Sequence, residues 1–442
     1  MRTLRRLVGN ERGVALVMAL MVLLAMTGLM LAFVSVSALE PQISRNLADA
    51  NRALYVSESG IEWAYDYLAT NFTTWSTYLA GATCSQGAVL GSADSPVPGL
   101  TATAGTFTVR VRNDCQAGDD KLTGLPVEST ASATTDGNDR VILTSTAAAG
   151  SASRTISVVL RRTVVPSFNA ALAFPGVQAD VNFSGSAFLI DGRDTRLGDA
   201  AGVPTGSASP VYGISVSNLY PANETQVENA AANNQQNVIS GRDQASTTSP
   251  PGTATGSSTI KADAALTSQA VTDFVNALKA SADLVIPSSP SAPFSIRDIG
   301  ATCATNLASP TCWGTPSQPK VVYVQGIVPD LQTQFTALDV AGTSTGTGIL
   351  IVENGNVDIN GTFRWNGPVI VTGTNVGVRY RGGGDQSVYG AVIVNETNTD
   401  GPTNLEGDVR GNASLLYSRE ALDLVANRLG RRLVATYAWQ RR

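Results

Sequence analysis

Few groups in this sequence have types and spacings that point to specific chemistry. Cys84, Cys115, Cys303 and Cys312 supply four thiols. Asp191, Asp194 and Asp199 bring three carboxylates close to Gly192, and Arg379-Tyr380-Arg381-Gly382-Gly383-Gly384 sets two cations beside a ring and a flexible turn. By spacing, the cysteines fall into two local pairs, Cys84 with Cys115 and Cys303 with Cys312, each bracketing a turn-rich loop. This is the favoured one of three connectivities. A four-thiolate metal site would need C-x-x-C-like spacing, which is missing. The three aspartates form a weak calcium candidate, since oxygens converge over a short Gly-containing turn. The D-x-[DN]-x-[DN]-G pattern and its terminal Glu are incomplete, so a solvated turn is the expected outcome. The Arg-Tyr-Arg-Gly stretch has groups for contacting glycan, phosphate or DNA, and in most sequences such a stretch is an ordinary turn.

Catalysis has little to work with. Histidine is absent, which removes Ser-His-Asp and Cys-His chemistry, His-ligated metals and imidazole proton transfer. Asp358, Asp385, Glu396, Glu406 and Asp408 are the carboxylates available to a polysaccharide-cleaving site, but no spacing singles out an acid and base pair. No catalytic residue, cofactor-binding residue or enzyme activity is therefore expected. A net charge of −5 with only 15% charged residues argues against nucleic acid as a partner. Arg431, Arg432, Arg441 and Arg442 are too few for a phosphate-tracking stripe and suit a helix C-terminus better.

The elements that must carry these groups begin with a membrane segment. No charged residue occurs from Gly13 to Leu39, and about 20 apolar residues suffice to cross a bilayer as a helix. Arg2, Arg5, Arg6 and Arg12 precede this run and Glu40 follows it. The positive-inside rule then leaves the N-terminus cytoplasmic and exports the remainder to an oxidising compartment, where disulfides persist. A secretory signal cleaved near Val36-Ser37-Ala38 is the alternative, but the apolar run is much longer than the roughly 7–15 residues of a signal core.

Glu11-Arg12-Gly13-Val14-Ala15-Leu16-Val17 resembles the N-terminus of type IV prepilins, and more closely that of minor pilins of the PilX-like assembly group. Ile43-Ser44-Arg45-Asn46-Leu47 and Asn51-Arg52-Ala53-Leu54-Tyr55-Val56-Ser57-Glu58-Ser59-Gly60-Ile61-Glu62 are similar to that group's "R-x-A-x-x-x-A-E-S/A-G" phrase. The resemblance covers about fifty residues. It implies an inner-membrane precursor cut by prepilin peptidase after Gly13, a mature chain methylated at Val14, and partner pilins bound through the N-terminal helix. It also implies eventual exposure at the cell surface as part of a pilus. Most pilins carry Glu at the fifth mature position, where it neutralises a neighbour's amino group in the apolar filament core; this chain has Met18. A subunit with no neighbour ahead of it can lose that Glu without leaving a buried charge unpaired, so Met18 points to a tip position.

Beyond the span, Leu47, Ala50, Leu54, Ser57, Ile61, Ala64 and Leu68 repeat at helical spacing, with Pro41 expected to kink or melt the helix. Residues 106–112, 140–147 and 154–163 alternate as strands of a small antiparallel sheet. The expected fold class is thus α+β and pilin-like, followed by a mainly β region, a β-solenoid capped by a C-terminal helix. The expected divisions are a leader (1–13), a core helix (14–39), its continuation (40–70), a head (71–165), a first β segment (166–204), a low-complexity excursion with one helix capped by Asp263 and a disulfide loop (205–320), solenoid repeats (321–417) and a capping helix (418–442). The solenoid rests on a repeated phrase beginning at Gly348, Gly367 and Gly390. Its exposed surface is the expected contact for a glycan or for a host or abiotic target.

Overall fold

The structure is a computed structural model that describes residues 11–90, 105–231, 235–243, 259–330, 333–398 and 404–441. The expected leader therefore lies mostly outside the described residues. Helix α1 (Glu11–Thr70) runs without interruption through Pro41, so the helix does not melt there. A proline costs one backbone hydrogen bond, and the helix formers on both sides hold the remainder.

Strands β1 (Ala88–Val89), β2 (Thr106–Asn113), β3 (Arg140–Ala149) and β4 (Ala152–Arg162) pair antiparallel in that order across α1. Alternation decides which face is buried: Phe107, Val109, Val111, Leu143, Ile156, Val158 and Leu160 turn inward, while Thr144, Thr146, Thr155 and Ser157 turn outward. The inner face packs on Val56, Ile61, Ala64 and Leu68 of α1. A single-turn helix α2 (Asp120–Thr123) lies in the loop between β2 and β3.

Among the described residues, the strands of the following β region pair parallel throughout. β5 (Ala170–Phe174), β6 (Val181–Ser184), β7 (Leu189–Asp191), β8 (Tyr212–Ser217), β9 (Ile239–Ser240) and β10 (Ile260–Asp263) come first, with α3 (Ala222–Ala230) between β8 and β9. Helix α4 (Ser268–Lys279) follows, and then β11 (Leu284–Ser288), β12 (Phe294–Arg297), β13 (Lys320–Gly326), β14 (Thr336–Ala341), β15 (Thr343–Glu353), β16 (Asn356–Asn360), β17 (Thr362–Gly373), β18 (Val378–Arg381), β19 (Gln386–Glu396), β20 (Gly407–Arg410) and β21 (Ala413–Tyr417). One sheet has the order β12-β14-β16-β18-β20-β6. The other runs β10-β8-β5-β19-β17-β15-β13-β11, with β21, β7 and β9 branching from β19. The branch arises because β15, β17 and β19 each bend at Gly348, Gly367 and Gly390. Their first arms continue to β21 and β7, and the second arm of β19 continues to β5. Three strand faces thus enclose one apolar interior.

The repeated Gly-x-(Val/Leu)-Ile-Val phrase is apolar at every position because this second arm is covered on both sides. Leu350, Val352, Val369, Val371, Val392 and Val394 fill the interior. Ile349, Ile351, Ile370 and Ile393 face outward, into a core shared with α1, α4 and the head sheet.

Three expectations about the segments are corrected. The described part of residues 205–320 is not an excursion: β8 and β10 pair in register, Ile214 with Ile260, and β11 and β12 start the far end of the stack; residues 232–234 and 244–258 of that stretch lie outside the described residues. Polar surroundings mask short apolar runs such as Gly213-Ile214-Ser215-Val216 in the sequence. Helix α4 is capped by Thr267, whose hydroxyl accepts from Ala270 N at 3.2 Å, rather than by Asp263. The C-terminal segment is not one helix over 418–438. Helix α5 (Arg419–Arg428) and a short α6 (Gly430–Leu433) give way to β22 (Val434–Arg441), which pairs antiparallel with β4. Val-Ala-Thr-Tyr-Ala-Trp carries β-branched and aromatic residues that fit a half-buried sheet edge. The end of the stack at β10 is instead covered by α3, where Glu224 accepts from the edge amide of Ala262 at 2.8 Å.

Candidate functional site

The feature of α1 that matters for function is its exposed N-terminal half. Residues from Val14 to Leu47 stand clear of the rest of the protein, with Val14 59%, Met18 64%, Met30 71% and Leu47 61% exposed. The first fully buried position is Ala53. The most apolar window has a mean hydropathy of 2.6 and buries none of its surface. The uncharged part of this exposed half, Val14 to Leu39, is at 1.5 Å per residue an apolar rod of about 40 Å, far larger than the apolar patches that soluble monomers expose. Its few polar groups are satisfied locally: Thr27 donates to the carbonyls of Leu23 and Leu24, and Ser35 to that of Ala32. That is the arrangement needed in a medium with no water to replace a missing partner. Of the helical stripe, Ser57, Ile61, Ala64 and Leu68 go into the head core while Leu47 stays exposed.

The remaining groups singled out in the sequence do not converge. Cys84 bonds Cys115 and Cys303 bonds Cys312. The three aspartates near Gly192 are separated by their partners. Asp191 is buried against the Arg193 guanidinium at 2.7 Å, Asp194 accepts from Arg419 N and Ala208 N, and Asp199 accepts from Arg196 N and Thr205. Those backbone donors hold the Asp199 carboxyl below its ordinary range even against desolvation. Among the described residues no acidic, Cys or His cluster could hold a metal ion, so the calcium arrangement is not formed.

Of the five carboxylates weighed for catalysis, Asp358 lies 3.8 Å from Arg379 and Asp408 is gripped by Arg381 and Arg410. Glu396 accepts from the amides of Val376 and Asn398, and Glu406 from that of Asp180. These groups hold corners and outer rows of the strand faces, and Asp385 contributes its backbone carbonyl to Phe363 N. Arg379 and Arg381 thus spend their charge on neighbouring rungs.

Comparison with known proteins addresses the N-terminal feature directly. The family model described as PilX N-terminal matches residues 12–62. Over those residues the chain is type IV pilin-like. That match spans the exposed rod and the first turns packed on the head. A search of curated protein sequences returns no match. Among solved structures, the chain is similar to the competence-associated pilin ComZ from Thermus thermophilus at 12% identity. The alignment covers 89% of this chain and 97% of that one with a TM-score of 0.23, too low to carry an argument.

The head also contains a titratable cluster that the sequence does not reveal, because its members come from separate loops. Asp114 is fully buried and accepts from Asn138, and burial raises its carboxyl. Burial, and then the Asp139 charge, push Asp136 up to about 6 against the opposing pull of Arg162 and two backbone amides. A raised carboxyl favours the folded state most when protonated. Its contribution is complete below the ordinary carboxylate range near pH 4 and is lost as pH rises through about 6. Asp136→Asn keeps the acceptor used by Asn138 N and Arg140 N. The expected result is a gain of about 1 kcal/mol at pH 7.5, discounted for partial exposure, and almost none at pH 4. Urea titrations of both proteins at the two pH values measure it; a gain of equal size at both would refute the titration argument.

Proposed function

We propose that the chain is a minor pilin-like subunit, made as an inner-membrane precursor with a cytoplasmic N-terminus, cut by prepilin peptidase after Gly13 and methylated at Val14. The apolar rod then leaves the bilayer for a filament core, and Met18, with no carboxylate to neutralise a preceding subunit's amino group, suits the tip. The observation that carries this reading is the rod itself. It is continuous with the head helix, uncharged from Val14 to Leu39, and without internal cover. Lipid or neighbouring pilin helices supply the same apolar surroundings, which is why one segment can serve as anchor and then as core.

The three-faced parallel stack is, in this reading, a β-solenoid that presents a rigid surface to a target. Its second face is covered by the head and by α4 and α5, and the β19–β21 part of the first face by Leu197 and Ala421, so the third face and the remainder of the first are the surfaces for recognition. The work of the molecule is assembly and binding, with no catalytic step.

The deciding measurement is the N-terminal residue and intact mass of the protein from sheared surface filaments and, separately, from membranes. A methylated Val14 in the filament fraction is the expected result. An uncut Met1 confined to membranes would sink the pilin reading and leave an anchored surface protein.

A further inference from the structure

Two crossings join the head to the stack, and they differ in stiffness. The first, residues 163–169, carries β4 into β5. Beyond Thr163, whose amide donates to Leu433 O at 2.6 Å, it has no regular structure. Val164 is 57% exposed, and the segment borders a cavity of about 340 Å³ into which it has room to move. The second crossing, from α5 through α6 to β22, is close-packed. Leu429 and Leu433 are buried with Leu68 and Ala69 of α1, and Gly430 lies so near Ala69 O that no Cβ fits.

Polar bonds on this second crossing reach in two directions. Arg431 turns to α1, where its Nε donates to Asp66 Oδ1 at 2.6 Å. Tyr65 Oη, 2.8 Å from the carbonyl oxygens of both Arg431 and Val434, shares its proton between them. Arg432 turns to the stack, donating to Ser281 O at 2.6 Å and to the Asp283 carboxylate just before β11. Asp283 accepts in turn from Val321 N of β13 at 2.8 Å. Consecutive guanidiniums thus connect the head helix to the terminal strands of the stack, and both cations are committed to bonds between elements rather than to the helix C-terminus that the sequence suggests.

We propose that Arg431 and Arg432 form a two-sided clip that carries tension from the filament helix directly into the stack. This rests on the reading of α1 as the filament anchor and of the stack as the target-facing part, since a subunit held at one end and bound at the other is loaded along α1. Of two connections in parallel the stiffer takes the load first, and a packed crossing yields less than a segment beside a cavity. The apolar core that head and stack share resists exposure to water but is non-directional. Charge-assisted bonds of fixed geometry hold α1 against sliding along its own axis.

A force clamp on full-length protein in detergent micelles tests the clip. Glu40→Cys and Gly383→Cys supply the handles, because both positions are open and all four native cysteines are paired. Forced unfolding is governed by the unfolding rate, so the readout is lifetime at fixed load. Tyr65→Phe/Arg431→Gln and, separately, Arg432→Gln should each shorten it at least tenfold, while Arg428→Gln, exposed one turn earlier, should leave it within threefold. In a second pull, from Thr146→Cys on β3 to Gly383→Cys, the load enters through the head sheet, and Tyr65→Phe/Arg431→Gln should leave the lifetime within threefold. Unchanged lifetimes in the axial pull would overturn the proposal. Equal shortening in both pulls would overturn it as well, because the bonds would then only stabilise the fold. Neither outcome bears on processing at Gly13, which the N-terminal measurement tests separately.

Discussion

Replacing Gly367 by alanine is expected to destabilise the protein by more than 3 kcal/mol. The residue sits at the bend of β17 with φ +128°, a backbone conformation open to glycine and strained for any residue with a Cβ. The added carbon would be forced against the Gly348 carbonyl oxygen on the neighbouring strand and close to Val425 of α5. Gly348 and Gly390 occupy the same bend on β15 and β19, with φ +143° and +148°, and each faces a backbone carbonyl on the next strand. No side-chain rotation relieves the clash with the backbone of the stacked strand, and the Val425 side chain of the covering helix leaves little room to shift, so the cost combines about 1–3 kcal/mol of local strain with displaced packing. Gly383→Ala is the control, because nothing lies within 4 Å of its added carbon; it should stay within about 0.5 kcal/mol of the parent. Urea unfolding followed by far-UV circular dichroism measures both. A Gly367→Ala protein as stable as Gly383→Ala would mean that the bends are not set by these glycines.

These three glycines also show what is legible in the sequence. Phrases starting 19 and 23 residues apart mark strands that stack in register, since a helix does not fit between them. The apolar rod is equally plain, because a long uncharged run is the pattern of a helix long and apolar enough to cross a bilayer. The order of the stack is hidden. Chain order places β5 before β11, yet β5 lies next to β19, with Leu172 beside Val392. The first-arriving strands therefore complete the turn left open where β21 departs for α5. Periodicity reports which face a strand buries, and it is silent about which distant strand lies beside it. Val434–Arg441 reads as helix in the sequence because a local helical period through Leu429 and Leu433 continues into residues whose side chains fit a sheet edge.

That last strand leads to the other large effect. A chain ending at Leu433 should lose on the order of 5 kcal/mol or fail to accumulate. β22 closes the head sheet, with Val434 opposite Arg162 and Trp439 opposite Val158. Its removal exposes the edge of β4 and deprives Tyr65 of a hydrogen bond to the Val434 carbonyl at 2.8 Å. Tyr437, stacked under Arg140 with the cation 4.3 Å from its ring, goes with it. The head cannot absorb this loss alone, because Leu143 and Leu160 share one core with Ile349, Ile370, Ile393 and Val425. Gly430 adds a second tie: it lies so close to the Ala69 carbonyl at the end of α1 that a Cβ there would collide with it. Denaturation of the full-length protein is thus expected to follow one coincident curve by tryptophan fluorescence and far-UV circular dichroism, and truncation should split it, with the fluorescence change first. Two separate transitions in the parent, unmoved by truncation, would show that the head and the stack are independent. Coupling of this kind joins the first and last elements of the chain, so the head sheet cannot close until the C-terminus is free to pair, and folding carries the long loop-closure cost of a high contact order. If the apolar rod is held in a bilayer as proposed, the membrane supports it during that delay, and the membrane-bound stage then has a folding role as well as an anchoring one.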